Sequence, residues 1–197
     1  MLNTGEVHVW RVRLDRGKTP AAGSAEEAAR AERLVTPALR QRYLRAHGAL
    51  REILAQVTDA PLAFGTREHG KPHLVSSPEV RFNLSHSREM ALVAVTRDAD
   101  VGVDIERIRP LAEYAAIARR YFPAGYTEPR NVREFFGNWT RFEAMLKAHG
   151  SGLYGAGSTP EGEWTVTELA IGPRFAAALV VAGQARPVVM HDYQGGE

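Results

Sequence analysis

The chain has 197 residues, with 25 Lys and Arg against 23 Asp and Glu, a formal net charge of +2, and no cysteine. That length allows one large domain or two small ones with a sizeable core, and the lack of cysteine excludes disulfides and thiolate metal sites. With no apolar run near the ~20 residues that span a bilayer, no signal-peptide pattern and no basic stripe interleaved with aromatics, a cytoplasmic protein with neither membrane nor nucleic-acid partner is expected.

In chain order, residues 7–14 alternate and predict a strand. Residues 19–24 form a Pro/Gly/Ser loop, and Ser24 with Glu27 three residues on fits a capping box that opens a helix. A longer helix is predicted over 37–57, with Leu39, Tyr43, Leu50, Ile53, Leu54 and Val57 near one face. Residues 64–74 are rich in turn formers. Residues 80–84, 91–96 and 101–105 predict strands, and 110–121 predict a helix with Pro in its first turn. The clearest helix is 131–149, where Phe135, Trp139, Phe142 and Leu146 form an apolar stripe and Gly150 supplies the stop. Strands follow at 164–169, 175–181 and 187–191. The order predicts an α+β fold made of two similar halves, 1–100 and 101–197. The apolar runs 91–95 and 177–181 are counterparts, and a ligand cleft is expected between the halves.

The segment Gly102-Val103-Asp104-Ile105-Glu106 places two carboxylates at i, i+2. In a strand they share a face, where they repel and desolvate each other. A divalent cation, a basic partner or an exposed strand end would each account for them. Glu143 and Lys147 stand at i, i+4 on one face of the 131–149 helix. That spacing fits an exposed ion pair, or a third metal-binding carboxylate beside a cation that reaches a phosphate. Three carboxylates without thiolates suit a hard cation such as Mg²⁺.

The chain has 22 Arg and only three Lys: Lys18, Lys71 and Lys147. A retained Lys is a mild signal, because Lys and Arg are not interchangeable at exacting sites. Arg81-Phe82-Asn83-Leu84-Ser85-His86-Ser87 ends a strand with a polar cluster suited to hydrogen-bonding a ligand. Ser85 and His86 are strand neighbours that point to opposite faces, which excludes a hydrolase dyad. Gly150-Ser151-Gly152-Leu153-Tyr154-Gly155 has the spacing of a dinucleotide loop but follows a helix rather than a strand, and is set aside.

These residues, in this order, resemble the Sfp-type 4′-phosphopantetheinyl transferases. The resemblance runs through Gly70-Lys71-Pro72, Phe82-Asn83-Leu84-Ser85-His86-Ser87, Val101-Gly102-Val103-Asp104-Ile105-Glu106 and Trp139 to Lys147, with the helix around Arg40 to Arg51 upstream. It implies a pseudo-dimeric α+β fold, a holo-[acyl-carrier-protein] synthase activity, and coenzyme A bound between the halves. It implies Mg²⁺, or Mn²⁺ in its place, held by Asp104, Glu106 and Glu143. Coenzyme A would be met by Arg33, Arg67, Gly70, Lys71, Pro72, Asn83, Ser85, His86 and Lys147. Glu143, Lys147 and His86 would be the catalytic groups. The partner would be an apo acyl or peptidyl carrier protein of fatty-acid, polyketide or nonribosomal-peptide synthesis, received near Arg119, Arg120, Tyr121 and Phe122. The pseudo-dimer makes a further oligomer unnecessary, so a monomer is expected.

The chain departs from the family pattern twice. Phe142 stands where the family usually has Lys before the helix glutamate, and Tyr121-Phe122 is followed by an acid only at Glu128. The first departure motivates an alternative, a catalytically weakened homologue that binds coenzyme A or a carrier protein. A different Mg²⁺-dependent phosphoesterase acting on a nucleotide is the second rival.

Overall fold

The computed structural model describes residues 2–123, 125–150 and 162–195. Two sheets form its centre. The first contains β1 (Val7–Arg13), β4 (Val80–Ser87), β5 (Met90–Arg97) and β9 (Val188–Asp192). Its order is β4-β5-β1-β9, with β1 antiparallel to β5 and parallel to β9. The second contains β6 (Val101–Arg107), β7 (Trp164–Glu168) and β8 (Phe175–Ala182) in the antiparallel order β6-β8-β7. β2 (Phe64–Thr66) and β3 (Pro72–Leu74) make a short hairpin at the periphery. The class is α+β, as expected. The C-terminal strand β9 returns to the first sheet, across the division expected at residue 100.

The sheets pack face to face. Val7, Val9, Leu92 and Ala94 of the first meet Val101, Val103, Ile105 and Leu179 of the second in one buried cluster. Trp10, Val12, Val93 and Val95 point the other way, onto α2 (Pro37–Ala55). On the far side of the second sheet, Ala178 and Val180 meet Ala144 and Ala148 of α4 (Val132–His149). The layers therefore run α2, first sheet, second sheet, α4. This explains why β5 is apolar without a break from Met90 to Val95, since both of its faces are covered.

The helix ends follow local chemistry. Ser24 Oγ accepts Glu27 N–H at 3.1 Å at the start of α1 (Ala25–Glu32), as the capping box predicts. Asn131 Oδ1 accepts Glu134 N–H at 2.9 Å at the start of α4, and Gly150, with φ 81, closes it. The residues of the set-aside glycine motif beyond Gly150 lie outside the described ones. α3 (Tyr114–Tyr121) starts four residues after the expected Pro110, with no side-chain cap at Glu113. Among the described residues no helix is long and apolar enough to cross a membrane.

Candidate active site where two sheet edges meet

β6 is an edge strand, and an edge exposes backbone N–H groups that need acceptors. Here β4 supplies them from side chains. Asn83 Oδ1 accepts Val103 N–H at 2.9 Å, Ser85 Oγ accepts Ile105 N–H at 3.4 Å, and Ser87 Oγ accepts Arg107 N–H at 3.0 Å. The polar alternation of β4 is thus a ladder of side chains joining two sheets. β4 runs on to Ser87 instead of stopping at Leu84, because the polar residues themselves pair the strand to its neighbour. Two of the hydroxyls then donate to the acids of β6. Ser85 Oγ donates to Asp104 Oδ1 at 2.7 Å, and Ser87 Oγ donates to Glu106 Oε2 at 2.8 Å.

α4 brings the third acid and the lysine. It can approach β6 because residue 102 is glycine. A Cβ there would fall 2.1 Å from the Ala144 carbonyl oxygen and 2.4 Å from the Ala148 nitrogen. With that close approach, Lys147 Nζ reaches Asp104 Oδ1 at 2.6 Å and Ser85 Oγ at 3.0 Å. Asp104 is only 4% exposed, and its Oδ2 is buried without a hydrogen-bond partner. Burial pushes the Glu143 carboxyl above its usual pKa, Lys147 pulls it back, and Asp104 and Glu106 push it up further. Burial likewise raises Glu106, opposed by the Ser87 hydrogen bond. The three acids are near enough to feel each other's charge. Even so, among the described residues no three acids or histidines converge as a ready metal cluster.

Two cavities adjoin the acids. The smaller, about 210 Å³, is lined by Gly70, Lys71, Pro72, Asn83, Glu143 and Lys147. Lys71 Nζ donates to the carbonyls of Ala148 at 2.5 Å and Val101 at 3.3 Å, tying the turn to the end of α4 and the start of β6. Burial lowers its pKa to about 8, against the pull of Asp100. The larger cavity, about 630 Å³, shares Pro72 and Asn83 with the smaller and continues past His86, Ser87 and Glu106 toward α1 and α2. Arg30, Arg42, Arg88 and Arg109 line it. Only Arg109 has a carboxylate partner among the described residues, Glu106 at 3.4 Å.

Asp104, Glu106, Glu143, Lys147, Asn83, Ser85, Gly70, Lys71 and Pro72 therefore come together. His86 lies across the strand from Ser85 and lines the larger cavity. Its side chain reaches solvent, yet desolvation by the surrounding protein, then the Lys147 ammonium, lowers its pKa. Two expected residues stand apart. Arg33 is the exposed C-cap of α1 and lines neither cavity, and Arg67 is tied to Asp100 at 3.2 Å. The basic positions facing the cavity are Arg30 and Arg42, one helical turn earlier on α1 and on the facing side of α2. Ser87 was legible as the next step of the Asn83, Ser85 alternation. Arg42 lies in the helix that carries the resemblance but was given no role by it, and Arg30 and Arg88 carried no motif.

Phe142 is 3% exposed and packs against Phe122, Tyr126 and Trp139. It belongs to an aromatic cluster beside the site. Glu128 pairs with Arg119 at 2.8 Å on the surface.

The chain is similar to curated proteins of one kind. It is 36% identical over 170 residues to the 4′-phosphopantetheinyl transferase HetI of Nostoc sp., covering 77% of this chain and 72% of that protein. It is 36% identical over 146 residues to the 4′-phosphopantetheinyl transferase psf-1 of Bacillus pumilus, covering 68% and 61%. It is 30% identical over 105 residues to the transferase Sfp of Bacillus subtilis, covering 50% and 46%. No family model matches the chain. Asp104 of β6 is thus joined to Ser85 of β4 and to Lys147 of α4, with Glu106 and Glu143 nearby and an arginine-lined cavity adjoining. The chain belongs to the 4′-phosphopantetheinyl transferases.

Proposed function

We propose that this protein transfers the 4′-phosphopantetheine arm of coenzyme A to a serine of an acyl or peptidyl carrier protein, with Mg²⁺, releasing 3′,5′-ADP. The reading rests chiefly on Lys147, which bridges Asp104 and Ser85 and lines the smaller cavity, itself joined to the basic one at Pro72 and Asn83. The active site would then lie where β4 of the first hundred residues meets β6 and α4 of the rest.

The donor set suits a hard divalent cation. Asp104 Oδ2 is buried with no hydrogen-bond partner, and Glu106 and Glu143 both carry pKa values raised by burial and by the charge of Asp104. Asp104, Glu106 and Glu143 would hold it, and it would offset the charge of the pyrophosphate. The protein's own groups do the rest. Arg30 and Arg42 draw the polyanionic end of coenzyme A into the larger cavity. Lys147, whose ammonium lies between Asp104 and Ser85, would hold a phosphate oxygen. Glu143 accepts the proton of the carrier serine as its oxygen bonds to the β-phosphorus and the bond to 3′,5′-ADP breaks. A raised pKa suits that role, since a base works best near the operating pH. His86 donates a hydrogen bond from the cavity wall.

The test is to incubate the protein with coenzyme A, Mg²⁺ and an apo carrier, then weigh the carrier. A gain of one phosphopantetheine with stoichiometric 3′,5′-ADP is expected. Coenzyme A binding without mass gain, across fatty-acid and modular-synthase carriers, would favour the binding homologue instead.

A further inference from the structure

The turn between β4 and β5 consists of Arg88 and Glu89, because Ser87 and Met90 are direct partners. Arg88 has φ 57, while Glu89 is outside the left-handed region. That is the φ pattern of a type II′ turn, which favours glycine at its first central position. An arginine there is strained. Its immediate surroundings give no compensation. Glu89 is taken by Arg107 at 2.5 Å and faces Arg174 at 3.7 Å, and Glu106 is taken by Ser87 and Arg109. Among the described residues Arg88 has no carboxylate partner, and its side chain is exposed on the wall of the larger cavity, beside Ser87, Glu106 and Arg109.

We propose that Arg88 is a binding residue for the phosphates of coenzyme A, and that the strained turn is kept because it carries this guanidinium to the cavity wall. The inference rests on the functional reading above and extends it. Arg30 and Arg42 supply charge at the α1–α2 end of the cavity, and Arg88 supplies it at the end bordered by Glu106. The polyanion is thereby gripped at both ends, with the acids on one side only.

The experiment is calorimetric titration of the full-length protein with coenzyme A, alongside thermal unfolding, for wild type, Arg88→Gly and Arg88→Lys. Loss of one charge-assisted contact weakens binding by about tenfold. Arg88→Gly is expected to show that loss with an unchanged or higher unfolding midpoint, because glycine relaxes the turn. Arg88→Lys is expected to recover part of the affinity. Wild-type affinity in Arg88→Gly would overturn the proposal. So would a joint fall of affinity and midpoint that lysine does not rescue, since that is the signature of a structural arginine. If wild type itself fails to bind coenzyme A, the functional reading falls first.

Discussion

The acidic corner and the basic cavity share a border, but they are built in different ways. In the corner most of the polar groups are tied down, Asp104 Oδ2 being an exception. Ser85 and Ser87 each bond both a backbone N–H and a carboxylate, Lys147 bridges two groups, and Gly102 lets α4 rest on the β6 backbone. On the cavity wall Arg30, Arg42 and Arg88 project from separate elements without carboxylate partners among the described residues. The corner is preorganised, as the proposed chemistry at one phosphorus atom would require. The cavity is a loose electrostatic cradle, and under the proposed function coenzyme A would supply the missing order. Substitutions in the corner should therefore cost fold or turnover, and those in the cavity should cost affinity.

Gly102→Val is the severest way to break the contrast. Its Cβ would press on the backbone of α4 at Ala144 and Ala148, which has no side chain to yield. We expect a loss above ~3 kcal/mol and no soluble native protein, read by circular dichroism and denaturant titration. A well-folded variant would show that α4 can move away from β6. Glu143→Gln keeps the shape and removes the proton acceptor. Transfer to carrier should fall by about 10²–10⁴-fold, measured by carrier mass against time, with coenzyme A binding in the absence of Mg²⁺ largely kept. A drop of less than fivefold would move the base elsewhere.

On the cavity side, Arg42→Ala should raise the KM for coenzyme A by about tenfold and leave kcat within twofold. An equal fall in kcat would mean that the cavity wall is as preorganised as the corner. Ser87→Ala leaves the Arg107 N–H and Glu106 each short of a partner, and should cost about 1–2 kcal/mol of stability, read from denaturant midpoints.

The corner was legible in the sequence because regular elements encode it. Period two put Asp104 and Glu106 on one strand face, and four-residue spacing put Glu143 and Lys147 on one helix face. The cavity was not, since its arginines sit on two helices and a turn with no shared spacing. Arg33 illustrates the limit. In a helix of only eight residues, a shift of three positions separates Arg30, which faces the cavity, from an exposed cap. The β4 ladder was half legible. Its alternation read as polar decoration for a ligand, and only the fold shows the β6 edge that needed those acceptors. Phe142 packs as its place on the apolar stripe led one to expect.

Lys71 lies between the two regions and offers the finest probe. It is held by the carbonyls of Ala148 and Val101, and burial depresses its pKa from 10.5 to about 8. Between those values the unfolded chain keeps a proton that the folded chain has released, so unfolding takes up protons and stability rises with pH. Below pH 8 both states are charged and the full cost of burying the ammonium is felt. Lys71→Met removes this cost along with the two hydrogen bonds. The free-energy difference between wild type and Lys71→Met should therefore be constant below about pH 8 and shift in favour of wild type from there to about pH 10.5. Denaturant titrations across that window at fixed ionic strength measure it. A flat difference would mean that the lysine stays hydrated, and would place Lys71 with the open cavity rather than with the rigid corner.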